Sequence, residues 1–163
     1  LLLQPLLKAM SDLITVHESL LSMAVQKSEK LKQNELEAFN DLIKMEQKHI
    51  QALEQLEKVR LKAAKDLAVF LNLQEDASVT DIIARLPLEK DQQRLEEKAT
   101  ALLEAVLHIK QQEDLNRQLL KQSLQFVQLQ LDLMEPSVES MTYGTKKIAE
   151  DPKAKRSVFD SKA

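Results

Sequence analysis

The spacing of apolar residues limits this chain to very few folds. Leu6, Met10, Leu13, His17, Leu20, Ala24 and Leu31 follow a 4-3 rhythm, widened by Leu7, Ile14, Leu21 and Val25. The rhythm resumes through Leu36, Phe39, Ile43, Glu46, Ile50, Leu53, Glu57, Arg60, Ala64, Leu67 and Leu71, and again through Leu95, Ala99, Leu102, Val106 and Ile109. Residues recurring every three and four positions share one face of a helix. Little in the chain interrupts that pattern. Its 163 residues include one Gly, four Pro and no Trp, and Leu, Glu, Lys and Gln are all good helix formers. The predicted fold class is all-α.

Local signals divide the helices. Pro5 suits the first position of a helix, where its missing N–H costs nothing, and the first amphipathic stretch runs to about Gln33. Asn34 followed by Glu37 predicts a capping box opening the second helix. At 1.5 Å per residue its ~37 residues span on the order of 55 Å, longer than a compact globule requires. An elongated antiparallel bundle is expected from that length. Glu46, Glu57 and Arg60 interrupt its seam and either snorkel at the edge or fix the register.

Residues 72–91 form a connector. Ser78 and Asp81 predict a short capped helix, which Ile82, Ile83 and Leu86 fold back onto the bundle end, and Pro87 opens the next helix. That third long helix is expected from about Leu88 to Glu135, roughly 70 Å if unbroken, with Pro136 ending it. The expected organisation is a bundle domain over 1–135 and a flexible C-terminal tail over 136–163. The tail holds the only Gly, Gly144, together with Pro152 and a local excess of Lys and Arg, and its low apolar density cannot offset the entropy of ordering. Met141-Thr142-Tyr143, Ile148 and Val158-Phe159 are its isolated apolar points. They fit either a binding motif or a solubilising tail.

Residues 113–135 depart from the single-stripe pattern. On a helix, Leu115, Leu119, Phe126, Leu129 and Leu133 form one apolar stripe, and Leu120, Leu124, Val127, Leu131 and Met134 form another. Asn116, Ser123 and Gln130 run between them at a spacing of seven. An outer bundle helix needs an apolar arc of about 100°, and here it is roughly double. One stripe therefore finds a partner outside the hairpin, or two neighbours of the same chain clasp the helix. Which stripe is internal depends on the helical period. At 3.6 residues per turn the Leu95–Ile109 stripe continues onto Leu120, Leu124 and Leu131; at 3.5 it continues onto Asn116, Ser123 and Gln130.

Several function classes are disfavoured. The formal net charge is −3 with both signs interspersed, so no basic stripe suggests nucleic acid. No apolar run approaches the roughly 20 residues of a membrane span; stable membrane insertion is not expected. With no Cys, thiol and disulfide chemistry is absent, which fits a reducing, cytoplasmic-type compartment. Glu46-Gln47-Lys48-His49 matches the Glu-x-x-His pattern of di-metal bundles, but no second copy exists; ordinary polar-face residues are the expected reading. His17 lies on the apolar face and is expected to be partly buried and hydrogen-bonded. Phosphate loops and nucleophile elbows are missing. No enzyme, cofactor or metal is expected.

Three segments carry a resemblance: KLKQNELEAFNDLIKMEQKHIQAL, SVTDIIARLP, and LNRQLLKQSLQFVQLQLDLM followed by a Tyr-Gly stretch and VFDSKA. Together they resemble the FlgN family of flagellar export chaperones, in the form found in Gram-positive bacilli. The resemblance implies an all-helical cytoplasmic chaperone without ATPase activity. It implies binding to the C-terminal helices of the hook–filament junction proteins FlgK and FlgL, and their delivery to the flagellar type III export apparatus. The residues it points to are Leu115, Asn116, Leu119, Leu120, Ser123, Leu124, Phe126, Val127, Leu129 and Leu133, with Val158 and Phe159 in the tail. Tyr143, the only Tyr, is the implied contact to the export gate. The alternative is a homo-oligomeric coiled-coil scaffold in which the spare stripe pairs with its own copy as a homodimer.

Overall fold

The computed structural model describes the backbone of residues 2–149 and the side chains of residues 2–134. It contains α1 (Leu3–Lys32), α2 (Leu36–Phe70), α3 (Val79–Arg85) and α4 (Glu89–Ala149), with no strand among the described residues. The chain divides into two units, Leu1–Leu120 and Lys121–Ala163. The first holds α1, α2, α3 and α4 as far as Leu120. The second begins with the remainder of α4.

Asparagine ends α1 and α2 where glycine commonly would. Asn34 and Asn72 have φ of 57° and 56°, the only positive values among the described residues. After α1, Asn34 N–H donates to Leu31 O at 3.2 Å and Glu35 N–H to Lys30 O at 2.9 Å. After α2, Asn72 donates to Val69 O at 3.1 Å and Leu73 to Ala68 O at 2.9 Å. Both are the paired bonds of a Schellman turn, which needs one left-handed residue. Asn tolerates that conformation better than other non-glycine residues because its short amide bonds locally. The expected capping box at Asn34 and Glu37 is therefore corrected. Asn34 closes α1; Glu35 is the N-cap residue of α2, with no side-chain cap.

The box at α3 forms as expected. Ser78 Oγ accepts from Asp81 N–H at 3.1 Å and Asp81 Oδ2 accepts from Ser78 N–H at 3.1 Å. Leu86 is extended (φ −63°, ψ 133°) because Pro87 crowds the helical conformation of the residue before it.

Two other boundaries differ from expectation. Pro5 lies at the third position of α1, not the first; the N–H groups of a first turn have no helical acceptor, so the helix loses no bond there. The fourth helix does not end at Pro136 but runs on to Ala149. A proline removes one ladder bond, and the helix continues on the bonds at either side. Residues 150–163, expected as the flexible end of the tail, lie outside the described residues.

Two apolar clusters build the first unit. In one, Leu3, Leu6, Leu7 and Met10 of α1 pack with Ala63, Leu67 and Ala68 of α2, Ile82 of α3, Leu86, and Leu95 of α4. In the other, Leu20, Met23 and Leu42 are joined by Val16, Leu53 and Ile109. On α2 the buried position is Leu42 instead of its neighbour Ile43, while Leu36 and Ile50 are exposed. Fully burying a Leu or Met contributes about 1.5–3 kcal/mol relative to exposure, and the largest fully buried side chains of this cluster, Leu6, Met10, Ile82 and Leu95, come from α1, α3 and α4.

Candidate functional site

Three features of the surface and its supports are candidates for function. The first is a charged clasp near the α1–α2 turn. Lys27, at the position where the α1 rhythm skips from Ala24 to Leu31, is buried, and its Nζ lies 2.7 Å from Glu46 Oε1 of α2 and 2.8 Å from Glu113 Oε1 of α4. One turn further along α4, Asn116 Nδ2 donates to Ala24 O at 2.7 Å, and Gln112 Nε2 donates to Asn116 Oδ1 at 3.1 Å. Of the two roles open to Glu46, the structure supports register, since a displaced helix would strand a buried charge.

The clasp carries one cation and two carboxylates. Burial pushes the Glu46 carboxyl above its ordinary value, with the neighbouring Glu113 adding to the rise against the opposing pull of Lys27. Burial pulls the Lys27 ammonium down, but its bonds to Glu113 and Glu46 outweigh this and hold it above its ordinary value.

The Glu-x-x-His pattern separates into unrelated roles. Glu46 serves the clasp. His49 Nε2 lies 3.0 Å from Ser19 Oγ and its Nδ1 lies 3.2 Å from Met45 O, so a neutral ring protonated on Nδ1 satisfies both. His17 is partly buried with Nδ1 2.8 Å from Leu13 O, as its place on the apolar face predicts.

The second feature is an open groove of about 570 Å³ in the first unit, floored by Leu13 and His17 and walled by Ile50 and Leu53 of α2 and Leu102 and Val106 of α4. At its rim Arg60 donates from Nε and Nη2 to the two carboxylate oxygens of Glu57 at 2.8 and 2.6 Å. That bond holds the Glu57 carboxyl below its ordinary value despite partial burial. Val106, expected in the inward stripe of α4, is an exposed wall residue here.

The third feature is α4 beyond the clasp. Leu95 and Asn116 are buried, and Leu102 and Ile109 between them are half-buried. This seven-residue series is the inward line of α4 in the first unit, the line expected at 3.5 residues per turn. Leu115 and Leu120 are exposed and Leu119 is half-buried. In the second unit every side chain from Lys121 to Met134 is exposed. Large apolar groups are included, from Val127 at 49% to Leu133 at 72%, with Leu124, Phe126, Leu129 and Leu131 between. Ser123 and Gln130 are exposed as well.

Of the residues singled out in the sequence, Asn116 is thus buried in the first unit and Leu119 half-buried, whereas the other members of the two stripes are exposed. The side chain of Tyr143, and Val158 and Phe159 entirely, lie outside the described residues. Sequence reasoning missed Lys27 and the groove. The gap at residue 27 in the α1 rhythm, opposite a glutamate in the α2 rhythm, was the available signal for the clasp. The groove had none, because it arises from the distance between helices.

Among the described residues no helix is long and apolar enough to cross a membrane, and no group of His, Asp and Glu is placed to hold a metal ion. The family model described as FlgN protein matches residues 2–150. An uncharacterized protein of Bacillus subtilis (strain 168), YvyG, is 30% identical over 159 residues, which cover 97% of this chain and 97% of that protein. No solved structure matches.

Proposed function

The chain belongs to the FlgN family, and from that premise we propose that it is a cytoplasmic flagellar export chaperone whose α4 segment 115–134 covers the apolar helices of its clients. The observation that carries this reading is the exposed double stripe of α4 beyond the clasp. A helix destined for polymerisation has an apolar face that aggregates if left uncovered, and a second amphipathic helix can cover it in helix-in-groove fashion. In this reading the clients are the hook–filament junction proteins FlgK and FlgL, bound through their C-terminal helices and delivered to the type III export apparatus. Binding is non-enzymatic, and competition at the export machinery releases the client. Tyr143 contributes the contact to the export gate, with Val158 and Phe159 as auxiliary client contacts.

The test is a titration of junction-protein C-terminal fragments against the wild type and against Leu119→Asp/Phe126→Asp. Loss of binding with helicity retained is expected; unchanged affinity removes this surface from the mechanism. Secretion of the junction proteins should fall in a Tyr143→Ala strain, and normal secretion eliminates the gate contact.

The same exposed stripes also fit a homo-oligomeric scaffold. Sedimentation at micromolar concentration separates the readings, because a strict monomer leaves a self-paired scaffold without its partner.

A further inference from the structure

Between Lys121 and Met134 the second unit carries two seams. Leu124, Val127 and Leu131 are spaced 3 and 4 apart, and Phe126, Leu129 and Leu133 also 3 and 4 apart. A 4-3 spacing is the seam of knobs-into-holes packing, and each such seam receives one helix. Both seams are exposed along their length. On a helix of 3.5–3.6 residues per turn their centres lie about 150–160° apart, with Ser123 and Gln130 between them. One partner helix fills an arc of about 100°, so no single helix reaches both.

We infer that the occupant is one client chain supplying two different amphipathic helices, which grip the 121–134 segment from opposite flanks; this rests on the client-binding reading above. Helix axes in contact lie 8–10 Å apart, which puts the two client helices about 15–20 Å from each other, on either side of α4. They do not touch each other. A tight hairpin therefore cannot occupy both seams, and the linker between the helices needs at least about five or six residues at ~3.3–3.6 Å each.

The seams are also chemically unlike. Lys121 and the amide of Gln128 border the Leu124–Leu131 seam, whereas Gln125 and Asp132 border the Phe126–Leu133 seam. An acidic edge on one client helix and a basic edge on the other match these borders. Two equivalent helices do not. A second copy of this chain, pairing about a two-fold axis, would place the same patch against itself and leave the other seam bare.

The spacing of seven supports the same assignment. In sequence, Leu95, Leu102, Ile109 and Asn116 continue onto Ser123 and Gln130. In the first unit this line faces two helices of the same chain. In the second unit its flanks have become full seams, one for each incoming helix.

The experiment uses the full chain and the C-terminal fragment of a junction protein, with two variants at exposed positions: Leu124→Asp/Leu131→Asp and Phe126→Asp/Leu133→Asp. Circular dichroism checks that helicity is retained. Each variant is expected to weaken binding by at least about 100-fold, the scale set by desolvating two misplaced carboxylates. Fragments trimmed to one client helix should respond to one variant and ignore the other. If either variant binds the whole fragment like the wild type, one helix suffices and the two-flank inference is overturned, while the chaperone reading stands. Sensitivity of one trimmed helix to both variants also overturns it. If the wild type binds no junction fragment, the chaperone reading itself fails and the inference falls with it.

Discussion

From Glu89 to Leu120, α4 turns Leu95, Leu102, Ile109 and Asn116 toward the helices of its own unit; from Lys121 to Met134 none of its side chains is buried. Both stretches are amphipathic, and the second is the more apolar around its circumference. Amphipathicity therefore does not say which part of a long helix a fold will bury. Within the first unit, Glu113 and Asn116 of α4 reach Lys27 and Ala24 of α1, close to the turn at residues 33–35 that joins α1 to α2.

The sharpest way to break this contrast is to cut the clasp that ends the packed stretch. Lys27→Met leaves Glu46 and Glu113 together without a cation, and removing one partner of a buried ion pair costs about 3–5 kcal/mol. Urea unfolding should show it as a lower midpoint. Next in size is Leu95→Ala in the packed half, which removes a fully buried side chain and is expected to cost about 2–5 kcal/mol on the same assay.

A smaller effect tests the charge balance within the clasp. The raised Glu46 pKa means that the folded chain binds that proton more tightly than the unfolded chain. The Glu46 contribution to stability is therefore full below the ordinary value of 4.5 and lost as pH rises through the folded pKa. Thermal melts of wild type and Glu46→Gln should converge or cross differently with pH. The wild type gains relative to the variant as pH falls from neutrality toward 4.5, and a constant difference would contradict the assignment. The smallest effect belongs to the exposed half. Leu131→Ala should change unfolding free energy by no more than about 0.5 kcal/mol, as surface substitutions do; a core-sized loss would mean that this half is packed after all.

Much of this was legible in the residues. The helical class, the Ser78–Asp81 box and the extended Leu86 follow from local chemistry that no tertiary contact overrides. The double stripe was legible because exposed and buried apolar residues share one periodicity. Other features were not. Asn34 has two standard uses, helix opener and left-handed closer, and only the bonds of Glu35 and Asn34 to Lys30 and Leu31 decide between them. Pro136 was expected to stop α4, yet the loss of one ladder bond does not end this helix. Lys27 was hidden because a lysine in an apolar rhythm reads as a surface residue until its two carboxylates, 19 and 86 positions away, are brought to it. The period of α4 was undecidable from the residues alone, since both values fit; the burial of Asn116 selects the seven-residue line.

The asparagine turn between α1 and α2 has a consequence for synthesis. It keeps the contacts of that hairpin local in sequence, and local helical contacts form within microseconds to milliseconds. A ribosome adding about 5–20 residues per second needs about 3–12 s to pass from Asn72 to Met134. The hairpin therefore has time to close before the displayed seams exist. On the proposed reading, the interval during which they stand bare is then set by how soon a client arrives, not by how fast the hairpin folds.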